Sequence, residues 1–206
     1  AAGPTSEETT TTMRGPTPPP TGRRRTAIFL YKPTTAGQNV FIRGGLDSGH
    51  NSGCTGSFTT DQCKIPITAT TKVPASFLEY VDWSKGDNYL DWFGAEPGQG
   101  EFNGQPASGT PLVWSTNDPN MVGYQALNKY GANYWMTEVL MDCSKTNNGW
   151  FEFKGYMDGW ESSVASSTCT GTNGGTPPYS SGNHFGRCGD INVFQWGSGA
   201  CLINSF

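Results

Sequence analysis

The sequence predicts an all-β sandwich, and three observations carry the prediction. Charged residues make up only 15% of the 206-residue chain while aromatics reach 13%, a balance suited to broad sheets rather than to amphipathic helices. Glycine and proline are abundant, 28 and 14 residues, and turn signals recur every ten or so positions, the rhythm of short strands joined by turns. No stretch sustains a helical apolar period, whereas several runs alternate as strands do.

Residues 1–25 (AAGPTSEETTTTMRGPTPPPTGRRR) contain four consecutive threonines, Pro18-Pro19-Pro20 and a single large apolar side chain, Met13. Such a segment cannot bury a core, and it reads as an extended or disordered linker open to O-glycosylation. It ends in Arg23-Arg24-Arg25, which suits a basic-specific processing site or equally a solvated linker end. Residues 26–206 then form one domain. Thr26–Tyr31 is a strand, Pro33–Gln38 a turn, and Asn39–Arg43 a second strand stopped by Gly44-Gly45, together an opening hairpin. Residues 46–63 are polar and Gly-rich. Lys64–Ala69 is a short strand in which Pro66 implies an edge or an irregular stretch. Ser76–Phe93 holds Lys85-Gly86-Asp87-Asn88 between two aromatic runs, so it is a hairpin or a short helix and a loop. Gly94–Thr110 is a long loop, Pro111–Trp114 a short strand, and Asn117–Ala132 a loop with one helical turn at Tyr124–Tyr130.

Tyr134–Glu161 is the centre of the domain. In the run YWMTEVLMD, Trp135, Thr137, Val139 and Met141 alternate with Tyr134, Met136, Glu138 and Leu140, so both faces carry apolar residues and the strand should be central and buried. Asn147-Asn148-Gly149 suits a turn needing positive φ. The next run puts Phe151, Phe153 and Gly155 on one face and Trp150, Glu152, Lys154 and Tyr156 on the other. The two runs read as a hairpin with one apolar face and one mixed face, and aromatics beside charges on an open face fit a polar ligand that can be stacked upon. The last strand is Ile191–Trp196, followed by Cys201-Leu202-Ile203.

A net charge of −4 and a pI near 5.1 argue against nucleic-acid or anionic-membrane partners, and no apolar run approaches the ~20 residues that span a bilayer. The six cysteines, Cys54, Cys63, Cys143, Cys169, Cys188 and Cys201, lack metal-ligand spacing and read as three disulfides of a secreted protein. Cys54 with Cys63 and Cys169 with Cys188 are the pairs suggested by proximity in sequence, leaving Cys143 with Cys201. Ala1-Ala2-Gly3 has none of a signal peptide's basic and apolar regions, so a secreted protein's numbering would begin after cleavage or inside a longer precursor.

Catalytic signals are sparse. With only His50 and His184, most triads and His-based metal sites are removed, and no P-loop, dinucleotide, GxSxG or HExxH fingerprint occurs, so neither a cofactor nor a metal is expected. Asp82, Asp87, Asp91, Glu96 and Glu101 offer carboxylates for glycoside hydrolysis or for calcium, yet acidic residues in Gly-rich loops are more often solvated, and their spacing matches no EF-hand. The seven tryptophans, Trp83, Trp92, Trp114, Trp135, Trp150, Trp160 and Trp196, exceed what one sandwich core of this size accommodates, so some should be exposed. Trp160 stands out because Asp158-Gly159 and Glu161-Ser162-Ser163 flank it with polar residues. An indole in that setting can stack on a pyranose, with Lys154 within reach of the same sugar.

IFLYKPTTAGQNVFIRGG at 28–45 and WFEFKGYMDGWES at 150–162 resemble the first hairpin and the Lys/Trp segment of family 20 starch-binding modules. From about Arg25 to Phe206 the chain also resembles the extra domain appended to some invertebrate, particularly mollusc, α-amylases, through GQNVFIRGGLD, GDNYLDWFGAE, ALNKYGANYWMTEVLMDCSKTNNGWFEFKGY and NHFGRCGDINVF. The starch-module match is short and does not reach residues 46–132 or the disulfides. These resemblances imply an immunoglobulin-like, starch-binding-type sandwich with long stapled loops and a glucan site carried by Lys154 and Trp160, with Glu161 beside them. With Trp150 and Tyr156 from the mixed face, the expectation is a secreted, non-catalytic domain binding an α-glucan or another neutral polysaccharide. The alternative is an extracellular matrix protein whose partners are copies of itself, assembled into filaments or organising a mineral or glycan matrix.

Overall fold

The computed structural model describes residues 22–54 and 61–206. The thirteen strands among them are β1 (Arg23–Tyr31), β2 (Phe41–Gly45), β3 (Ile65–Ala69), β4 (Tyr89–Leu90), β5 (Glu101–Phe102), β6 (Gln105–Pro106), β7 (Thr110–Pro111), β8 (Val113–Ser115), β9 (Tyr134–Asp142), β10 (Trp150–Tyr156), β11 (His184–Arg187), β12 (Ile191–Gln195) and β13 (Cys201–Asn204). One short helix, α1 (Leu78–Ser84), lies between β3 and β4, so the first aromatic run of 76–93 is helical and the second is a two-residue strand. The fold is all-β, as the composition predicts.

The strands form a seven-stranded sheet ordered β13-β12-β1-β9-β3-β4, with β8 also on β9, and a four-stranded sheet ordered β11-β10-β2-β7. β5 and β6 make a small separate hairpin. Ile28, Leu30, Ile42, Trp135, Val139, Met141, Phe151, Phe153 and Phe194 fill the space between the two sheets. Phe151 and Phe153 are fully buried, each contributing roughly 1.5–3 kcal/mol of transfer free energy. A second apolar layer, with Phe29, Tyr80, Met136 and Val193, packs on the outer face of the larger sheet, which explains why β1 and β9 are apolar on both faces.

Three expectations about connectivity are corrected. The opening strands are not a hairpin: β1 pairs with β9 and, in parallel, with β12, whereas β2 crosses to the other sheet and pairs with β10 and β7. β9 and β10 are likewise in different sheets. Asn148 and Gly149 do take positive φ (51° and 92°), but the 3-10 turn at Cys143–Lys145 has already led the chain out of β9. The Arg run belongs to β1 rather than to the linker, with Arg23, Arg24 and Arg25 opposite Asp142, Met141 and Leu140 and the Arg25 guanidinium paired with Glu138. The rest of the predicted linker, residues 1–21, lies outside the described residues.

The disulfides are Cys54–Cys63, Cys143–Cys188 and Cys169–Cys201. The first pair agrees with the sequence reading and the other two exchange partners. Cys143 leaves the end of β9 beside Cys188 at the end of β11, and Cys169 meets β13, against which Thr170 bridges to Leu202. No helix among the described residues is long and apolar enough to cross a membrane.

Candidate functional site

The outward face of β10 was expected to present Trp150, Glu152, Lys154 and Tyr156 together, and packing divides it. Residues 175–185 fold back over one end. There Trp150 is buried, with Phe185 edge-on at 6.4 Å and the Arg187 guanidinium 4.6 Å over its ring. Glu152 is buried too, and its carboxylate accepts from Tyr179 Oη (2.5 Å), Ser181 Oγ (2.7 Å) and Asn183 Nδ2 (3.2 Å). The buried carboxyl group is satisfied there because donors surround it. Trp150 is therefore not a ligand-contacting surface, contrary to the sequence expectation.

Glu161 is corrected in the same way. It is 2% exposed and sits beneath the surface, accepting from the Gly155 N–H (2.9 Å), the Gly197 N–H (2.5 Å) and His184 Nε2 (2.8 Å). Burial by itself would raise its carboxyl, but the His184 hydrogen bond and charge together with the two N–H donors outweigh it and hold the group below the ordinary carboxylate range. Its role is to fasten the turn that carries Trp160. In that turn Asp158 and Gly159 adopt positive φ (53° and 149°), Met157 N–H donates to Gly159 O, and Trp160 bridges back to Tyr156. Gly155 is required at the base, because a Cβ there would lie 2.3 Å from the Trp196 ring.

The result is an indole held rigidly yet 47% exposed. Tyr156 supports it edge-on at 5.4 Å, and the Arg43 guanidinium lies 5.0 Å over the Trp160 ring and 3.7 Å over that of Tyr156. Tyr156, half-buried and covered by Arg43, props Trp160 rather than offering an open face of its own. Facing Trp160 at 6.4 Å, tilted by 40°, is Trp92, whose Nε1–H donates to Leu46 O at 2.7 Å. The two indoles flank a groove of about 570 Å³ whose other walls include Lys154, Asn183, Asp47, Ser48 and Asp61. Lys154 Nζ reaches Ser163 Oγ at 3.3 Å along the rim. Asn183 Nδ2 is committed to Glu152, which fixes the orientation of that amide at the groove wall.

Lys154 and Trp160 are thus brought together in one concavity, Tyr156 stands behind them, and Trp150 and Glu161 are withdrawn. Trp92 and Asn183 are the additions that sequence reasoning missed. Nothing local separates Trp92 from the other tryptophans, since its contact with Trp160 is long-range. The two tilted indoles make an apolar patch on the groove wall, bordered by an amine, an amide and carboxylates.

Three of the acidic residues considered for catalysis or calcium, Asp87, Asp91 and Glu96, are buried. Glu96 accepts from the Asn88 and Tyr89 N–H groups (2.5 and 3.1 Å), Asp91 from the Phe93 N–H (2.8 Å), and Asp87 from the Thr110 side chain. Burial raises all three, Asp91 to about 7. Asp82 pairs with Lys85 at 3.1 Å and Glu101 is exposed. Among the described residues the one group with metal-ligand proximity is Cys54, Asp61 and Cys63, and both of its sulfurs are spent in a disulfide. Comparison with protein-family models, with curated proteins and with solved structures found no match.

Proposed function

We propose that this chain is a non-catalytic carbohydrate-binding domain of a secreted protein, taking an α-glucan or another neutral polysaccharide. The observation that supports it best is the exposed Trp160, packed beside Trp92 on the wall of a groove that Lys154 also lines. Leaving two indoles against water is costly, and the cost is recovered when the apolar face of a pyranose covers them. The three disulfides support an extracellular setting. The test is affinity gel electrophoresis against starch, glycogen, cellulose and chitin. Retardation by at least one, lost in Trp160→Ala, is expected, and no retardation by any of the four would overturn the reading.

One observation favours the second reading, an assembling matrix protein: Met121 and Val122 are 46% and 68% exposed at adjacent positions of one loop, an apolar tip that self-association would cover. Analytical ultracentrifugation separates the two. A monomer at all concentrations counts against assembly, and concentration-dependent growth counts against a simple appended module.

A further inference from the structure

A second groove, of about 620 Å³, shares Asp61 with the first. Its walls include Leu46, Lys64 and Tyr89 on one bank and Ser144, Lys145 and Thr146 on the other. Asp61 lines both grooves, so the two adjoin at this residue. The junction is also built as one piece. Leu46 N–H donates to Cys63 O at 2.8 Å, and Leu46 O accepts the Trp92 indole N–H, so the residue whose side chain lines the second groove anchors an aromatic wall of the first. Residues Asp61–Lys64 run along both: Cys63 lines the first groove, while Gln62 and Lys64 line the second.

We infer that the two grooves are a single trench and that its ligand is an extended oligosaccharide of several units, stacked at Trp160 and Trp92 and continuing past Asp61 to Tyr89 and Lys145. This rests on the carbohydrate reading of the first groove. Each groove alone falls within the range of an ordinary small-ligand pocket, ~300–1,000 Å³, and two grooves that share a lining residue fit a chain-shaped ligand better than a compact one. The second groove carries its own recognition chemistry. Tyr89 presents a ring with Lys64 Nζ 4.3 Å over one face, and the exposed Lys145 supplies a mobile amine donor from the opposite bank. Ser144 Oγ and Thr146 Oγ are already committed to Asp142 and to the Cys143 carbonyl, at 2.6 Å each, so they hold the bank in shape.

The experiment is isothermal titration of two ladders, maltose to maltooctaose and cellobiose to cellohexaose, against the wild type, Lys145→Ala, Tyr89→Ala and Trp160→Ala, each checked by thermal melting. The expected result is affinity that rises at least tenfold between the disaccharide and the hexasaccharide of the ladder that binds. Lys145→Ala and Tyr89→Ala should remove most of that gain while leaving the disaccharide unchanged, and Trp160→Ala should weaken every length. Lys145 is exposed, so its variant isolates the second groove even if Tyr89→Ala is poorly folded. Affinity that is flat with length, or a Lys145→Ala that leaves the gain intact, would overturn the trench while sparing the first groove. Absence of binding for both ladders at every length would remove the carbohydrate reading and the trench together.

Discussion

Replacing Trp160 by alanine separates a ligand platform from a core residue. The indole is 47% exposed, so about half of a side chain that can bury ~150–250 Å² is covered, chiefly by Tyr156, Arg43 and Trp92. At ~25 cal/mol per Å² the covered half is worth at most ~2–3 kcal/mol, and a compact unfolded state lowers that further. Trp160→Ala should therefore cost about 1–2 kcal/mol of stability, a fall in Tm of roughly 2–8 °C for a domain of this size. A fully packed tryptophan such as Trp135 should cost ~3–5 kcal/mol. Loss of a stacking anchor should weaken glycan binding by ~1–3 kcal/mol, about 5- to 150-fold. Thermal melts and titration with the polysaccharide that retards the wild type check both quantities. Unchanged affinity combined with a core-sized loss of stability would refute the reasoning.

Lys154→Ala should weaken binding by ~0.5–1.5 kcal/mol without abolishing it and leave the melt unmoved, because its contact with Ser163 is at the exposed rim. Asp91 is pushed up to about 7, above all by burial, while its unfolded value is near ~3.9. The folded state thus holds a proton that the unfolded state releases, and wild-type stability should fall as pH rises from about 4 to about 7. Asp91→Asn lacks that dependence, so denaturant unfolding across pH should show the variant gaining on the wild type by up to ~4 kcal/mol through this window; parallel curves would exclude the effect. Non-reducing peptide mapping should recover Cys143 linked to Cys188 and Cys169 linked to Cys201. Opening the Cys143–Cys188 link, which closes 45 positions, should cost ~4 kcal/mol in the chain-entropy model. A peptide joining Cys169 to Cys188 would contradict the pairing.

Strands that reveal themselves locally were legible in the sequence, and their partners were not. The alternation in Tyr134–Asp142 correctly marks a central strand, buried along its Trp135, Thr137, Val139 and Met141 face and at Met136 on the other, where Leu140 is exposed. Its neighbours β1 and β3 are distant in sequence, and the turn signal at Asn148-Gly149 made β10 look like the natural partner. That signal is a true statement about φ and says nothing about which sheet the chain enters next. At the site, Trp160 was identifiable because its polar flanks are local. Trp92 was not, because its only distinction is the indole it faces. Glu161 misled for a physical reason: a carboxylate next to an exposed aromatic looks like a hydrogen-bonding arm until the two backbone N–H groups and His184 that hold it are known.

The parallel pairing of β1 with β12 has a consequence for how the domain is made. Ala27–Tyr31 lie beside Ile191–Gln195, so the first long strand stays without one of its two neighbours until nearly the whole domain has been synthesised. Contacts of such sequence separation are slow to form and leave an open edge in the interval. A nascent or truncated chain ending before Ile191 should therefore be the vulnerable species, open to proteolysis or to pairing with a stranger's strand, and the last hairpin acts as the clasp that ends that exposure.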